Sequence, residues 1–156
     1  MRPDQVNETC RNLEFDFLFS EYIKKYRTSV KGSKKKPHFS NGVMLQQYLT
    51  FKIILTLPNG DMTTENISDR YHKFFGTGIN QPSLVRALHA LDTIGLIQFV
   101  DNPFDNRMKS IGLTQAGKKM QYVLMGSNKV YPDMDTAVLQ MRKGSKSLIR
   151  PFFKPL

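Results

Sequence analysis

The chain of 156 residues carries 23 Lys and Arg against 13 Asp and Glu, a formal charge of +10. With 40% apolar residues, 11 Phe and 6 Tyr, it has the material for a buried core, which excludes a fully disordered polycation. It contains no run of 18 uncharged apolar residues to cross a bilayer. The single cysteine, Cys10, excludes an internal disulfide, and three scattered histidines cannot complete a Cys/His zinc cluster around it.

In chain order, residues of about 12–28 set Leu13, Phe15, Phe17, Leu18, Tyr22, Ile23 and Tyr26 on a wide apolar stripe at helical spacing. Acidic Glu14, Asp16 and Glu21 precede basic Lys24, Lys25 and Arg27, the order a helix dipole favours. Lys31-Gly32-Ser33-Lys34-Lys35-Lys36-Pro37 then combines Gly, Ser, Pro and four like charges, which predicts a linker or arm. Val43 to Leu57 is too apolar for periodicity to separate helix from strand; its length favours a helix, ended by Pro58-Asn59-Gly60. Thr63 is placed to cap a short helix running to about Phe74, with Ile67 and Tyr71 four apart on its inner face. After Gly76-Thr77-Gly78, the segment Asn80-Gln81-Pro82-Ser83 opens a third helix with proline in its tolerated first turn. Leu84, Ala87, Leu88 and Leu91 form the seam of that helix, and Gly95 stops it.

Two strand-like runs, 96–100 and 108–113, bracket Asp101-Asn102-Pro103-Phe104-Asp105-Asn106-Arg107 and predict a hairpin. Thr114 can cap a helix to about Met125, and Asp133 or Asp135 another to Lys143, with Gly144 after it. Charge is concentrated at the ends. Residues 1–40 and 126–156 each carry a balance of +4, against 0 for 41–80 and +2 for 81–125.

Three helices and then a hairpin is the order of a winged helix-turn-helix, whose third helix enters a major groove. The expected fold class is therefore mostly α with a small β-hairpin wing, flanked by N- and C-terminal helices. Its expected parts are 1–40 (helix and basic linker, a dimerisation element or arm), 41–125 (winged-helix domain) and 126–156 (helix and basic tail).

From Thr63 to Gly117 the chain also resembles the MarR family of transcriptional regulators. The resemblance is carried by Thr63-Thr64-Glu65-Asn66-Ile67-Ser68, Leu91-Asp92-Thr93-Ile94-Gly95-Leu96-Ile97, Asn102-Pro103-Phe104-Asp105-Asn106-Arg107 and Leu113-Thr114-Gln115-Ala116-Gly117. The family pattern of leucine, three residues, Gly-Leu-Ile, a wing with Asp-Pro-x-Asp-x-Arg, and Leu-Thr-x-x-Gly aligns without a gap. Where the family usually has arginine after Gly-Leu-Ile-x this chain has Phe99, and Asn106 stands where a second arginine commonly enters the minor groove. Arg107 and Lys109 are the cations left on the wing.

On the third helix, at about 81–94, the face opposite Leu84, Leu88 and Leu91 is expected to present Gln81, Ser83, Val85, Arg86, His89 and Ala90. A guanidinium at Arg86 pairs bidentately with guanine, and the amide of Gln81 with adenine, each worth about 1–3 kcal/mol of discrimination. A solvated helix face with one ordinary arginine is the competing account. The wing at about 98–113 adds Asn106, Arg107 and Lys109; Lys34, Lys35 and Lys36 are candidate phosphate contacts from the arm, or simply a solvated run. Cys10 is expected to be an inert thiol, since no fixed cation is identifiable beside it.

No glycine-rich phosphate loop, nucleophile elbow or metal-ligand spacing occurs. The expectation is a protein that is not an enzyme, with no catalytic or metal-ligating residues and no cofactor. It is expected to bind double-stranded DNA sequence-specifically as a transcriptional regulator; the resemblance implies a repressor that dimerises through its terminal helices. No membrane partner is expected, and nothing marks a small-molecule effector. Met1-Arg2-Pro3-Asp4-Gln5 lacks the layout of a secretory leader, so a cytoplasmic, nucleoid-associated location is expected. The alternative is a winged-helix protein-docking or replication and assembly factor that binds nucleic acid nonspecifically through its basic termini.

Overall fold

The computed structural model describes residues 2–29, 41–100 and 110–126, together with 130, 131, 133, 135, 136 and 139. The chain is mostly helical with a small two-stranded antiparallel hairpin, in the order α1 (Pro3–Ser29), α2 (Asn41–Leu55), α3 (Thr64–Phe75), α4 (Gln81–Thr93), β1 (Ile97–Val100), β2 (Ser110–Leu113) and α5 (Gln115–Gln121), which runs into a wider π-helical turn, Tyr122–Gly126. It forms two compact units, a terminal one of Met1–Lys36 with Lys118–Leu156 and a central one of Pro37–Gly117. Residues of both ends of the chain fall in the terminal unit, and the boundary between the units falls after Gly117, within the continuous helix α5. Among the described residues no helix is long and apolar enough to cross a membrane.

In the terminal unit α1 packs against the Tyr122–Gly126 turn. It begins nine residues before the expected start at about 12. Its first turns are polar, yet they bury Cys10 with Tyr131, flanked by Val6 and Phe17, and the Tyr131 backbone N–H donates to Asn7 Oδ1 at 2.9 Å. Further along, Phe15, Leu18, Phe19, Tyr22 and Ile23 are buried, and the rings of Phe15 and Phe19 lie 6.4 Å apart. Of the two expected caps near the C-terminus, Asp133 is the one used: its carboxylate accepts from the Thr136 backbone N–H at 2.7 Å and from the Thr136 hydroxyl at 2.9 Å. These hydrogen bonds hold the Asp133 carboxyl below its usual range.

Burial pushes the Cys10 thiol up, and the nearby charges of Asp133 and Glu14 push it further. The folded state therefore keeps this group protonated. Its contribution to stability is intact at neutral pH and is lost as pH rises through the ordinary thiol range towards the raised value. Because the thiolate is the nucleophile, a water-soluble maleimide added to native protein at neutral pH is expected to label Cys10 only as fast as the unit opens, with denaturant greatly accelerating the reaction. Immediate stoichiometric labelling of the native chain contradicts this placement.

The central unit is built on α2, whose apolar run is resolved as a helix that buries Phe51, Ile53, Ile54 and Leu55 and packs on both α3 and α4. Arg70 of α3 closes the C-terminal end of α2 by donating to the Thr56 carbonyl at 2.9 Å. Thr63 caps α3 as expected, its hydroxyl accepting from the Asn66 N–H at 3.2 Å, and Ile67 and Tyr71 are the buried residues of that helix. The segment entering α3 also joins the sheet: Thr63 bridges Ser110, and the Ile111 N–H donates to the Met62 carbonyl at 2.8 Å. In the hairpin Ile97 pairs with Leu113, Gln98 with Gly112, Phe99 with Ile111 and Val100 with Ser110. Side chains alternate across a strand, so Ile97, Phe99, Ile111 and Leu113 form an inner row while Gln98 and Val100 face outward.

Candidate functional site

The exposed face of α4 collects the candidate reading residues. Asn80 starts the helix in extended geometry (φ −69°, ψ 154°), its side-chain oxygen accepting from the Ser83 N–H at 2.8 Å; a cap of this kind contributes about 1 kcal/mol. Leu84, Ala87, Leu88 and Leu91 are buried as the seam requires. At the far end the chain leaves through Gly95 at φ +81°, a left-handed conformation that costs a residue with a Cβ about 1–2 kcal/mol. Leu96 and Ile97 then turn straight into the core.

Gln81, Val85, Arg86 and His89 are exposed on the opposite face, as expected, with Val85 38% accessible. Ser83 is not. It is 9% exposed, because it lies four residues before Ala87 and eight before Leu91, on the row that faces the core. Its removal from the outer face corrects the sequence expectation, and Ala90 is only half-exposed. Among the described residues Arg86 has no carboxylate within ion-pair distance, which leaves the five donors of its guanidinium available to a partner.

No family model, curated protein or solved structure matches the chain. What the site does must therefore follow from its own chemistry. Asn106, Arg107 and Lys109 of the expected wing, and Lys34, Lys35 and Lys36 of the expected arm, lie outside the described residues. The structure thus brings together only the α4 set, with Phe99 beside it.

Phe99 was legible only as a departure from a family pattern. It lies on the inner row of the hairpin, and its ring sits 5.4 Å from that of His89 at an interplanar angle of 50°. The alternation Ile97, Phe99 pointed inward, but not to a partner on α4. A second feature missing from the sequence expectation is the docking of α5 on the start of β1. The Thr114 hydroxyl donates to the Gly95 and Leu96 carbonyls at 2.6 and 3.1 Å and accepts from the Gly117 N–H at 3.2 Å. The α3 end that leads to α4 exposes two phenylalanines, Phe74 at 63% and Phe75 at 41%, with Lys73 beside them.

Proposed function

We propose that this protein is a winged helix-turn-helix, sequence-specific double-stranded DNA-binding transcriptional regulator of the MarR-like kind, reading the major groove with α4 and the minor groove or phosphates with its hairpin. The observation that carries the reading is the capped helix α4, third of three packed helices and followed by a hairpin, whose outer face offers Gln81, Val85, His89 and Arg86, the last with no ion-pair partner among the described residues. Gly95, Thr114 and Gly117 support the family resemblance, since each does a physical job at its place in the pattern: a left-handed exit, a helix cap and a close approach of backbones. Repression is the sign of regulation that the resemblance implies, and the nucleoid is where such a protein works.

The reading includes a homodimer formed through the terminal unit. Leu13, Tyr122, Met125, Val130 and Leu139 are large apolar side chains left exposed there, and a second copy is the simplest cover for them. Sedimentation at micromolar concentration that finds monomer alone removes the dimer.

Exposed Phe74 and Phe75 beside a nearly neutral reader favour one second reading, a docking or assembly factor whose basic ends hold nucleic acid without sequence preference. A random-sequence selection with the purified full-length chain separates the two. An enriched inverted repeat is the regulator's result; no enriched sequence, with affinity gone at moderate salt, is that of the docking factor.

A further inference from the structure

We propose that Phe99 is a positioning residue for DNA reading and acts through His89, an inference that rests on α4 being the reading helix. His89 follows Arg86 by three residues and Val85 by four, so all three lie on one exposed row of α4. An exposed histidine on such a row ordinarily samples several rotamers, and ordering it costs affinity. Here the imidazole rests against the Phe99 ring, with centroids 5.4 Å apart. Phe99 is itself fixed: it pairs with buried Ile111, whose N–H is tied to the Met62 carbonyl at 2.8 Å. The hairpin thereby gives the exposed His89 imidazole a ring to rest against. A ring N–H held there donates to an acceptor on DNA, either a guanine edge or a phosphate oxygen. Phe99 thus does by positioning what a cation at the same place does by direct contact, and it joins the hairpin and the helix into one rigid reader.

The test uses the full chain as wild type, His89→Ala, Phe99→Leu, Phe99→Tyr and the double variant His89→Ala/Phe99→Leu. Each is titrated against the duplex selected by the wild type and against a scrambled duplex, and the His89 ring signals are followed by NMR. Phe99→Leu is expected to weaken binding to the selected duplex about threefold to tenfold, to affect the scrambled duplex only as far as His89→Ala does, and to shift the His89 ring signals. Phe99→Tyr, which keeps the ring, restores both. The double variant binds no more weakly than His89→Ala alone. A loss by His89→Ala confined to one base pair assigns a base edge, and an equal loss on both duplexes assigns a phosphate. Additive losses, or ring signals indifferent to Phe99→Leu, overturn the positioning role while the α4 reading stands. A wild-type selection that enriches no duplex overturns the α4 reading, and this inference with it.

Discussion

Alanine at position 117 is expected to lower the stability of the central unit by about 3 kcal/mol or more, at or beyond the upper end of the usual cost of overpacking. Gly117 lies in the first turn of α5, and a Cβ placed on it collides with the carbonyl oxygen of Leu96 and comes within 3.2 Å of Leu113 Cδ2. The obstacle is backbone. The Leu96 carbonyl already accepts from the Thr114 N–H at 3.3 Å and the Thr114 hydroxyl at 3.1 Å, so it cannot recede without loosening both bonds. For a unit of this size the loss corresponds to a fall in Tm of roughly 12–24 °C, measured by thermal denaturation followed by circular dichroism. Gly78→Ala is the control: the nearest atom to its added Cβ is His72 Nδ1 at 3.9 Å and its φ is not positive, so a change within about 0.5 kcal/mol is expected. Equal melting of the two variants contradicts the seating of α5 on β1.

The contrast between these glycines also shows what a sequence can disclose. Thr63, Asn80, Gly95 and Thr114 were legible because caps and left-handed exits depend on residues within three or four positions, and the structure uses all four. The same local logic placed Ile67 and Tyr71 inside α3 and Gln81, Val85, Arg86 and His89 on the outside of α4. It failed at Ser83, where the width of the buried stripe, not its centre, decides the matter. The start of α1 was hidden for a different reason. Its first turns carry few apolar residues, and their burial depends on Tyr131, more than a hundred residues away along the chain. Likewise the meeting of Phe99 with His89, and of Gly117 with Leu96, is fixed by how the hairpin lies across two helices, a long-range relation that no local spacing encodes.

Replacing Arg86 by alanine is expected to weaken binding to the selected duplex about fivefold to 150-fold, the equivalent of one bidentate guanine contact, and to relax sequence preference at a single base pair. The side chain stands exposed on the N-terminal half of α4 and, among the described residues, has no acidic partner. Its removal therefore exposes no buried charge, and folding stability should change by no more than about 0.5 kcal/mol. Binding to scrambled DNA loses one cation at most, which lowers the salt slope by about 0.9. Arg86→Lys decides between the two ways a guanidinium meets DNA. Lysine keeps the charge but not the planar fork, so it rescues a phosphate contact and fails to rescue a guanine pair. Equal losses on both duplexes with alanine, together with full rescue by lysine, place Arg86 on the backbone and leave base reading to Gln81, Val85 and His89. Loss confined to the selected duplex and persisting with lysine makes Arg86 the residue that reads.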